Sequence, residues 1–379
     1  MTLSLPADSN LLLSNEFHGF PQNQGQCQDA PVVEQLGQFG FTSGGRSSIK
    51  SAIMPLDWGG PLWSSGRAAR HRREAAKLFI IAGRCGRLAN RLVLFANFIA
   101  FAEEEGHRVA NVTFHSYAAL FVATRRDIYC RYPAARRGSW LDVIPGVAGA
   151  IRWTRLFAHG VRMVGQINER LPILGSGSIA FREGPSGYVS LEGPEVRARV
   201  RDAKRVFIFG WTFRAPRYLQ RHAEKIRAYF RPIEKHDRAA REAVEKLRRN
   251  ADVVVGIHIR HGDYRNWRGG KYFFPVERYT AWAKELAEQF QGRKVSFLVC
   301  SDEPRHQGEF QGLSVGFGTG QPVEDICALS ECDYVVGPVS TFTQWASFYG
   351  NKPLFHLRDT TSRIERDQFQ VSYLEEIPR

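Results

Sequence analysis

The sequence predicts an α/β protein built from two Rossmann-like, doubly wound units that face a cleft. Two stretches carry this prediction, residues 77–114 and residues 253–356, because short apolar runs alternate there with segments of helical periodicity. Strands that alternate with helices favour parallel sheets. The length of 379 residues leaves room for two such domains at about 150 residues each.

The first stretch opens with an apolar run, Lys77–Ala82, that suits a buried strand. The turn Gly83–Gly86 follows, and apolar residues then recur at helical spacing over residues 88–100. Arg108–Phe114 is predicted to be the next strand and Val206–Phe209 a later one. A strand, a glycine turn, a helix and a strand in this order are typical of the opening of a doubly wound sheet.

The second stretch begins with Val253–Ile259, an almost wholly apolar segment that is typical of a strand buried on both faces. Before it, Arg217–Tyr229 and Glu234–Arg249 have the periodicity of amphipathic helices. Residues 115–200 show weak periodicity, so we expect helices and loops there that shape one side of the cleft. The remaining predicted elements are helices at Val276–Phe290, Val323–Ser330 and Thr341–Tyr349, and strands at Val295–Cys300, Tyr334–Val336 and Pro353–His356.

Composition and pattern divide the chain into four parts. Residues 1–75 are rich in Gly, Gln, Ser, Asn and Pro without sustained periodicity, which indicates a flexible N-terminal extension. We predict one Rossmann-like domain over residues 76–235, a second over residues 236–360, and a C-terminal tail over residues 361–379.

The formal net charge of +14 favours an anionic partner, which is a nucleic acid, a membrane surface or a phosphorylated small molecule. We expect no nucleic acid, because the basic residues are not interleaved with aromatic residues as such a surface requires. The densest basic cluster is expected to be a solvated lead-in to a helix, with a peripheral membrane or polyanion contact as the alternative. This cluster comprises Arg67, Arg70, Arg72, Arg73 and Lys77.

The six cysteines are scattered and form no Cys-x-x-Cys pair, so we expect reduced thiols and a cytoplasmic location. No run approaches the roughly 18–20 apolar residues of a membrane span, and the N-terminus shows no secretory signal pattern. We also expect no metal. Asp263 and Asp302 follow separate strands and are able to approach each other, but nearby arginine and helix-end charge make a divalent cation unnecessary.

Polar clusters fall at the predicted carboxyl ends of several strands, which is where open α/β sheets bind their ligands. In the cluster His258–Tyr264, Arg260 offers a planar fork for two oxygens of a diphosphate. Gly262 in the same cluster lets the backbone approach such a ligand closely. Asp263 either orients Arg260 or accepts a proton from a hydroxyl. A purely structural ion pair between Arg260 and Asp263 is an equally good interpretation. The clusters are Gly83–Arg91, His258–Tyr264, Ser301–Asp302 and Gly337–Thr341.

Two of the other clusters also have a functional and a structural interpretation. Ser340 and Thr341 stand between a predicted strand and a predicted helix. In the functional interpretation their hydroxyls and the helix amides bind a phosphate. In the structural interpretation Ser340 is the N-cap of the helix. Arg87 and Asn90 are predicted at the mouth of the cleft, and the alternative is tight strand–helix packing. Their turn is neither a Gly-x-Gly-x-x-Gly fingerprint nor a P-loop.

Five motifs in order resemble glycosyltransferase family 11, the α-1,2-fucosyltransferases, within a superfamily that also contains α-1,6- and protein O-fucosyltransferases. The resemblance covers roughly residues 78–357, and the ordered set is more specific than any single motif. The motifs are Gly86–Arg91, Gly210–Phe213 with Tyr218, His258–Tyr264, Ser301–Asp302, and Ser340–Trp345 after Cys332.

The resemblance implies a B-type glycosyltransferase fold, with the acceptor on the N-terminal domain and the nucleotide sugar on the C-terminal domain. It implies GDP-fucose as donor, a glycan as acceptor, inversion at the anomeric carbon, and no cofactor or metal. Arg260 would hold the diphosphate, with Asp263 as the first candidate for general base and His261 as the second. The other residues assigned to the donor site are Arg87, Asn90, His258, Asp302, Asp325, Ser340, Thr341 and Phe342, with Asp302 and Asp325 as candidates for the guanine or ribose.

The chain departs from the family pattern at several positions. His261 stands where the family has a second arginine, and His-x-Arg-His-Gly is closer to the α-1,6 branch. Arg87, Ala89 and Arg91 replace two glycines and a glutamine, and Val339 replaces an asparagine. The resemblance therefore favours α-1,2 transfer, with α-1,6 transfer, another nucleotide sugar, or a non-catalytic GDP- or polyanion-binding protein as alternatives.

Overall fold

The structure of the protein is a computed structural model that describes residues 75–134, 147–171, 173–175, 177–184 and 187–375. The described residues belong to one compact unit. The predicted N-terminal extension, apart from residue 75, lies outside the described residues. So do the basic cluster before Lys77 and the last four residues of the predicted tail.

The first sheet has five strands in the order β3-β2-β1-β6-β4, and its neighbours are parallel except for the β2–β3 pair. The central strand β1 is Leu-Phe-Ile-Ile and is buried along its whole length, as its apolar sequence predicted. The strands are β1 Leu78–Ile81, β2 Arg108–Asn111, β3 Arg131–Tyr132, β4 Ser178–Arg182 and β6 Arg205–Phe209. A separate parallel pair is formed by β5 Val189–Ser190 and β7 Phe213–Arg214.

The prediction of a strand over Arg108–Phe114 was too long. The strand ends at Asn111, and Val112–Ser116 forms a 3₁₀ turn. The Thr113 hydroxyl donates to Asn111 Oδ1 over 2.9 Å. Such a local bond gives the chain an alternative to the sheet ladder, which explains the early end of the strand.

Within the described residues, six helices accompany the first sheet and lead to the second. The first, α1, is buried over most of its length and ends at Gly106 in a left-handed conformation, which only glycine adopts without strain. The predicted single helix Arg217–Tyr229 was wrong, because the chain breaks at His222, whose ring bonds Glu104 over 2.9 Å. The helices are α1 Leu88–Glu105, α2 Val147–Arg170, α3 Pro194–Val200, α4 Pro216–Arg221, α5 Ala223–Tyr229 and α6 Glu234–Arg248.

The second sheet has five parallel strands in the order β10-β9-β8-β11-β12. Together with the first sheet it confirms the predicted α/β class with two parallel sheets. The strands are β8 Val253–Ile259, β9 Val295–Ser301, β10 Val315–Phe317, β11 Tyr334–Pro338 and β12 Leu354–Leu357. The helices are α7 Val276–Glu288, α8 Pro322–Glu331 and α9 Thr341–Gly350.

Strand β8 is buried on both faces and fixes the centre of the second sheet. A Cβ atom on Gly256 would lie 2.7 Å from Leu329 Cδ2, so glycine is what allows α8 to approach this strand closely. The two halves of the chain are in contact. The Trp345 ring of α9 packs edge-on against Phe230 of the first half, with centroids 5.1 Å apart. The domain boundary near residue 235 stays a prediction.

No helix in the described ranges has the length and apolar composition needed to cross a membrane. Five cysteines are described, and all of them are buried: Cys85, Cys130, Cys300, Cys327 and Cys332.

Candidate functional site

Arg260 follows the carboxyl end of β8 and is held between two carboxylates. Its Nε lies 2.8 Å and its Nη2 lies 2.7 Å from Asp263 Oδ1. Asp302 Oδ2 lies 3.6 Å from the same Nε. The ion pair that was one of the two interpretations of this segment is therefore present. None of the hydrogen bonds found among the described residues uses Nη1 of Arg260.

Asp302 shapes the turn on which Arg260 stands. Its Oδ1 accepts a hydrogen bond from the His261 backbone N–H over 2.8 Å. A Cβ atom on Gly262 would lie 2.9 Å from Asp302 Oδ2, so this close approach requires glycine. The structure thus joins two clusters, His258–Tyr264 and Ser301–Asp302, that the sequence indicated separately.

His261 is buried, and both nitrogen atoms of its ring have partners. Nε2 lies 2.7 Å from the Phe274 carbonyl, and Nδ1 lies 3.1 Å from Arg305 Nη2. Because the carbonyl only accepts, Nε2 carries a proton, and Nδ1 also lies 3.5 Å from Glu303 Oε2. The ring therefore anchors the loop and offers no lone pair to a substrate.

Arg305 belongs to this network and was missed by the sequence analysis. Its guanidinium is 10% exposed and bonds Glu303 at 2.8 Å and Glu309 at 3.1 Å in addition to His261. A signal was present, because Glu309 follows Arg305 by four residues in a segment directly after Ser301–Asp302. Through its contact with Nδ1, Arg305 fixes the orientation of the His261 ring.

His258 lies on the face of β8 that is turned towards α9. Its ring stacks on Phe342 with centroids 4.5 Å apart and an interplanar angle of 20°. Nδ1 is buried, and no hydrogen-bond partner for it lies in the described part of the chain. Burial, together with the charge of Arg260, lowers the pKa of His258 to about 3. The ring is therefore neutral at physiological pH.

The N-terminus of α9 lies beside the end of β8. Ser340 Oγ accepts from the Thr343 backbone N–H over 3.2 Å, so this residue is the N-cap of the helix. The Tyr264 hydroxyl donates to the Val339 carbonyl over 2.8 Å and ties the loop after β8 to this helix end. This bond brings the loop that contains Arg260 next to the segment Ser340–Thr341.

Thr341 connects this helix end to the first half of the protein. Its hydroxyl donates to Asn90 Oδ1 over 2.5 Å. Asn90 lies in the first turn of α1, so two residues that the sequence placed in one site do meet. Arg87 lies exposed immediately before α1, and nothing in its described contacts joins it to Arg260.

Arg91, which stands where the family has glutamine, has a structural role. It is buried and donates from Nε to the Cys85 carbonyl over 3.1 Å and from Nη1 to the Thr113 carbonyl over 2.5 Å. These bonds hold the turn after β1 against the 3₁₀ turn after β2. The departure from the family pattern at this position is thus accommodated by the fold.

Asp325 lies in the first turns of α8 and organises the loop before that helix. Its Oδ1 accepts from the backbone N–H groups of Thr319 and Gly320 over 2.8 and 3.2 Å. Burial raises the pKa of Asp325 to about 6 in spite of these bonds. The neighbouring Glu324 bonds His236 of α6 over 2.7 Å. The structure brings Asp325 into contact with neither Arg260 nor Asp302 by any described bond.

These features define a class: an α/β protein with two parallel sheets, in which a strand-end arginine and a helix N-terminus lie at neighbouring strand ends. The particular family follows from the sequence of the second half. The model of Glycosyl transferase family 11 matches residues 203–374, which is less than half of the chain. The predicted resemblance is confirmed over these residues, which contain four of the five motifs. The first motif, Gly86–Arg91, precedes them.

Solved fucosyltransferase structures resemble the chain at low sequence identity. A mutant of FUT1 from Arabidopsis thaliana in complex with GDP is 14% identical, with coverage of 85% of this chain and 76% of that chain and a TM-score of 0.49. NodZ alpha-1,6-fucosyltransferase from Bradyrhizobium, crystallised with GDP, is 13% identical over 75% and 96% of the two chains, with a TM-score of 0.41. POFUT1 in complex with GDP-fucose is 13% identical over 77% and 98%, with a TM-score of 0.39. No curated protein sequence matches the chain.

Replacing His258 with Asn is expected to flatten the pH dependence of stability in weak acid. The pKa of His258 in the folded state, about 3, lies below the ordinary value of 6.5. Between these two pH values the imidazole is protonated in the unfolded chain and neutral in the folded chain. Stability is then complete above pH 6.5 and falls as the pH drops towards 3, by about 1.4 kcal/mol per pH unit. Urea unfolding of both proteins at pH 7 and pH 5 measures the difference. Parallel losses in the two proteins would contradict the burial of a neutral ring.

Proposed function

We propose that the protein transfers fucose from GDP-fucose to a hydroxyl of a glycan acceptor, with inversion at the anomeric carbon. The observation that carries the proposal is the link between the loop of Arg260 and the N-terminus of α9, within the segment that the family 11 model matches. The donor is the one that the family resemblance implies. The proposal assigns the diphosphate of this donor to Arg260 and the N-terminus of α9, where the positive charge of the arginine and the helix amides would hold it.

GDP is the leaving group, so negative charge grows on its β-phosphate as the glycosidic bond breaks. The guanidinium of Arg260 and the backbone N–H groups in the first turn of α9 stabilise this charge. Both are held in place before the donor binds, by Asp263 and Asp302 on one side and by the Tyr264–Val339 bond on the other. Because Thr341 now donates to Asn90, a bound phosphate would compete for this hydroxyl at the junction of the two halves.

Asp263 is the proposed general base. Asp302 is engaged by a backbone N–H of the turn, whereas Asp263 is bonded by Arg260 and its side chain is 24% exposed. The acceptor hydroxyl gives its proton to Asp263 while its oxygen forms a bond to the anomeric carbon, on the face opposite to the departing GDP. The electron pair of the broken bond leaves with the β-phosphate. His261, whose ring nitrogens are both occupied, acts as a positioning residue.

The finer assignments belong to the same proposal. Asp302 and Asp325 are offered for the guanine or ribose, and α-1,2 transfer is preferred to α-1,6 transfer by the ordered motifs. His261 favours the α-1,6 alternative, since it replaces the second arginine of the family pattern. No metal is required, because Arg260 and the helix end carry the positive charge. A cytoplasmic location is proposed as well, since the cysteines are scattered in the sequence and form no Cys-x-x-Cys pair.

Replacing Arg260 with Ala is expected to lower kcat/KM for fucose transfer by about 10²–10³ or more, the usual cost of losing a donor that faces developing charge. The control is Arg248→Ala, which removes an arginine paired with Asp333 over 2.9 Å near the opposite end of β8. This control should retain activity within about threefold, because an exposed ion pair contributes little. Transfer of radiolabelled fucose measures both variants, and circular dichroism verifies their folding. Wild-type turnover by Arg260→Ala would overturn the assignment.

Replacing Asp263 with Asn is expected to lower kcat by about 10²–10⁴, the usual contribution of a general base. The amide preserves the shape of the side chain and an oxygen for Arg260, so affinity for GDP should remain within a few-fold. Turnover under saturating donor and GDP titration by calorimetry separate the two effects. If kcat is unchanged while GDP affinity falls, Asp263 orients Arg260 and is not the base.

A further inference from the structure

Large apolar side chains are exposed on one region of the first half of the protein. Six exposed large hydrophobic residues occur in the described part of the chain. Five of them lie on α2 and on the segment that follows it. They are Leu156, Met163, Ile167, Leu171 and Ile173, with exposures of 64%, 42%, 41%, 64% and 45%.

The three apolar residues on α2 itself form a stripe. Leu156, Met163 and Ile167 are separated by seven and four residues, so they fall on one face of the helix. The opposite face is buried, since a Cβ atom on Gly165 would lie 2.7 Å from the Phe207 ring and Asn168 donates to the Ser178 carbonyl over 2.9 Å. The stripe therefore points away from the protein.

Basic residues accompany the stripe. Arg155, His159 and Arg170 are exposed on α2 and fall along one edge of the apolar face. The one acidic residue of the helix, Glu169, is paired with Arg182 over 2.8 Å, so its charge is balanced within the protein.

A neighbouring loop extends the same chemistry. Residues 121–130 pack on α2 through the edge-on contact of Tyr129 with Phe157, at 5.0 Å between centroids. This loop carries the sixth exposed apolar residue, Val122, and two exposed arginines, Arg125 and Arg126. The α2 surface is defined here as Val122, Arg125, Arg126, Arg155, Leu156, His159, Met163, Ile167, Arg170, Leu171 and Ile173.

We propose that the α2 surface docks on an anionic lipid membrane, with α2 lying in the plane of the interface. Apolar side chains on one face and arginines along its edge are the features by which amphipathic helices enter the boundary between headgroups and acyl chains. The net charge of +14 is opposite in sign to that of a negatively charged leaflet, so the two attract each other. A second copy of the chain fits this surface less well, because an isologous contact would oppose arginines of the two copies. The proposal goes beyond sugar transfer, since it concerns where the enzyme meets its surroundings.

Vesicle co-sedimentation of the full-length protein tests the proposal. The probes are vesicles of phosphatidylcholine alone and vesicles of equal parts phosphatidylcholine and phosphatidylglycerol. The wild-type protein is expected to bind the anionic vesicles and to bind the neutral vesicles much more weakly. Replacing Leu156, Met163 and Ile167 together with Ser should weaken the partition coefficient at least about tenfold, because the inserted apolar area is lost. Arg155→Gln and Arg170→Gln should each weaken it about fivefold.

Arg249→Gln is the matched control, since it removes an exposed arginine at the end of α6, outside the α2 surface. It should bind vesicles like the wild type. Three outcomes would overturn the proposal: no binding of the wild type to anionic vesicles, unchanged binding of the triple variant, or equal binding to neutral vesicles. A wild-type dimer that the triple variant converts to a monomer in light scattering, without vesicle binding, would assign the surface to self-association. Unchanged circular dichroism and GDP binding verify that the variants are folded.

Discussion

The packing of α9 is the constraint on which the rest of the site depends. Its Trp345 ring lies against Phe230 of the first half at 5.1 Å between centroids, and its Thr341 hydroxyl bonds Asn90 of α1. Near its other end, Arg227 Nε donates to the Phe348 carbonyl over 2.8 Å. The helix is therefore fixed at three points to the first half while it follows β11 of the second sheet. A dense aromatic contact of this kind contributes both apolar burial and a defined geometry.

Fixing α9 also fixes the charge that its N-terminus presents. The Tyr264–Val339 bond connects this end to the loop after β8, and Asp302 holds the turn that carries Arg260. Arginine and helix amides are thus oriented before any ligand arrives, which is the condition under which electrostatic stabilisation is most effective. The same arrangement keeps two carboxylates, Asp263 and Asp302, beside one arginine.

The sequence predicted the parts of the fold that depend on local pattern. Buried strands such as β1 and β8 were recognisable because parallel strands covered on both faces read as continuous apolar runs. Wrong boundaries arose where a side chain found its own partner, as Thr113 did with Asn111 and His222 with Glu104. A partner 118 residues away, as for His222, leaves no periodicity to detect.

The candidate site was predictable in outline and not in its internal roles. The ordered motifs brought Arg260, Ser340 and Thr341 together, because carboxyl ends of parallel strands share one edge of a sheet. The spacing of the residues did not decide whether Arg260 binds a ligand or has a structural role. The structure shows that Arg260 forms an ion pair with Asp263. The occupied ring of His261 and the supporting role of Arg305 depend on contacts over 13 and 44 residues, which the sequence pattern does not encode.

Thermal unfolding in the presence of GDP-fucose, GDP and UDP-galactose tests the central claim most directly, since a ligand that binds the folded state raises Tm by mass action. The account predicts a clear rise with GDP-fucose, a rise of the same order with GDP alone, and no rise with UDP-galactose at equal concentration. A rise with UDP-galactose that equals or exceeds that with GDP-fucose, or no rise with any guanine nucleotide, would contradict a GDP-sugar site at Arg260 and α9.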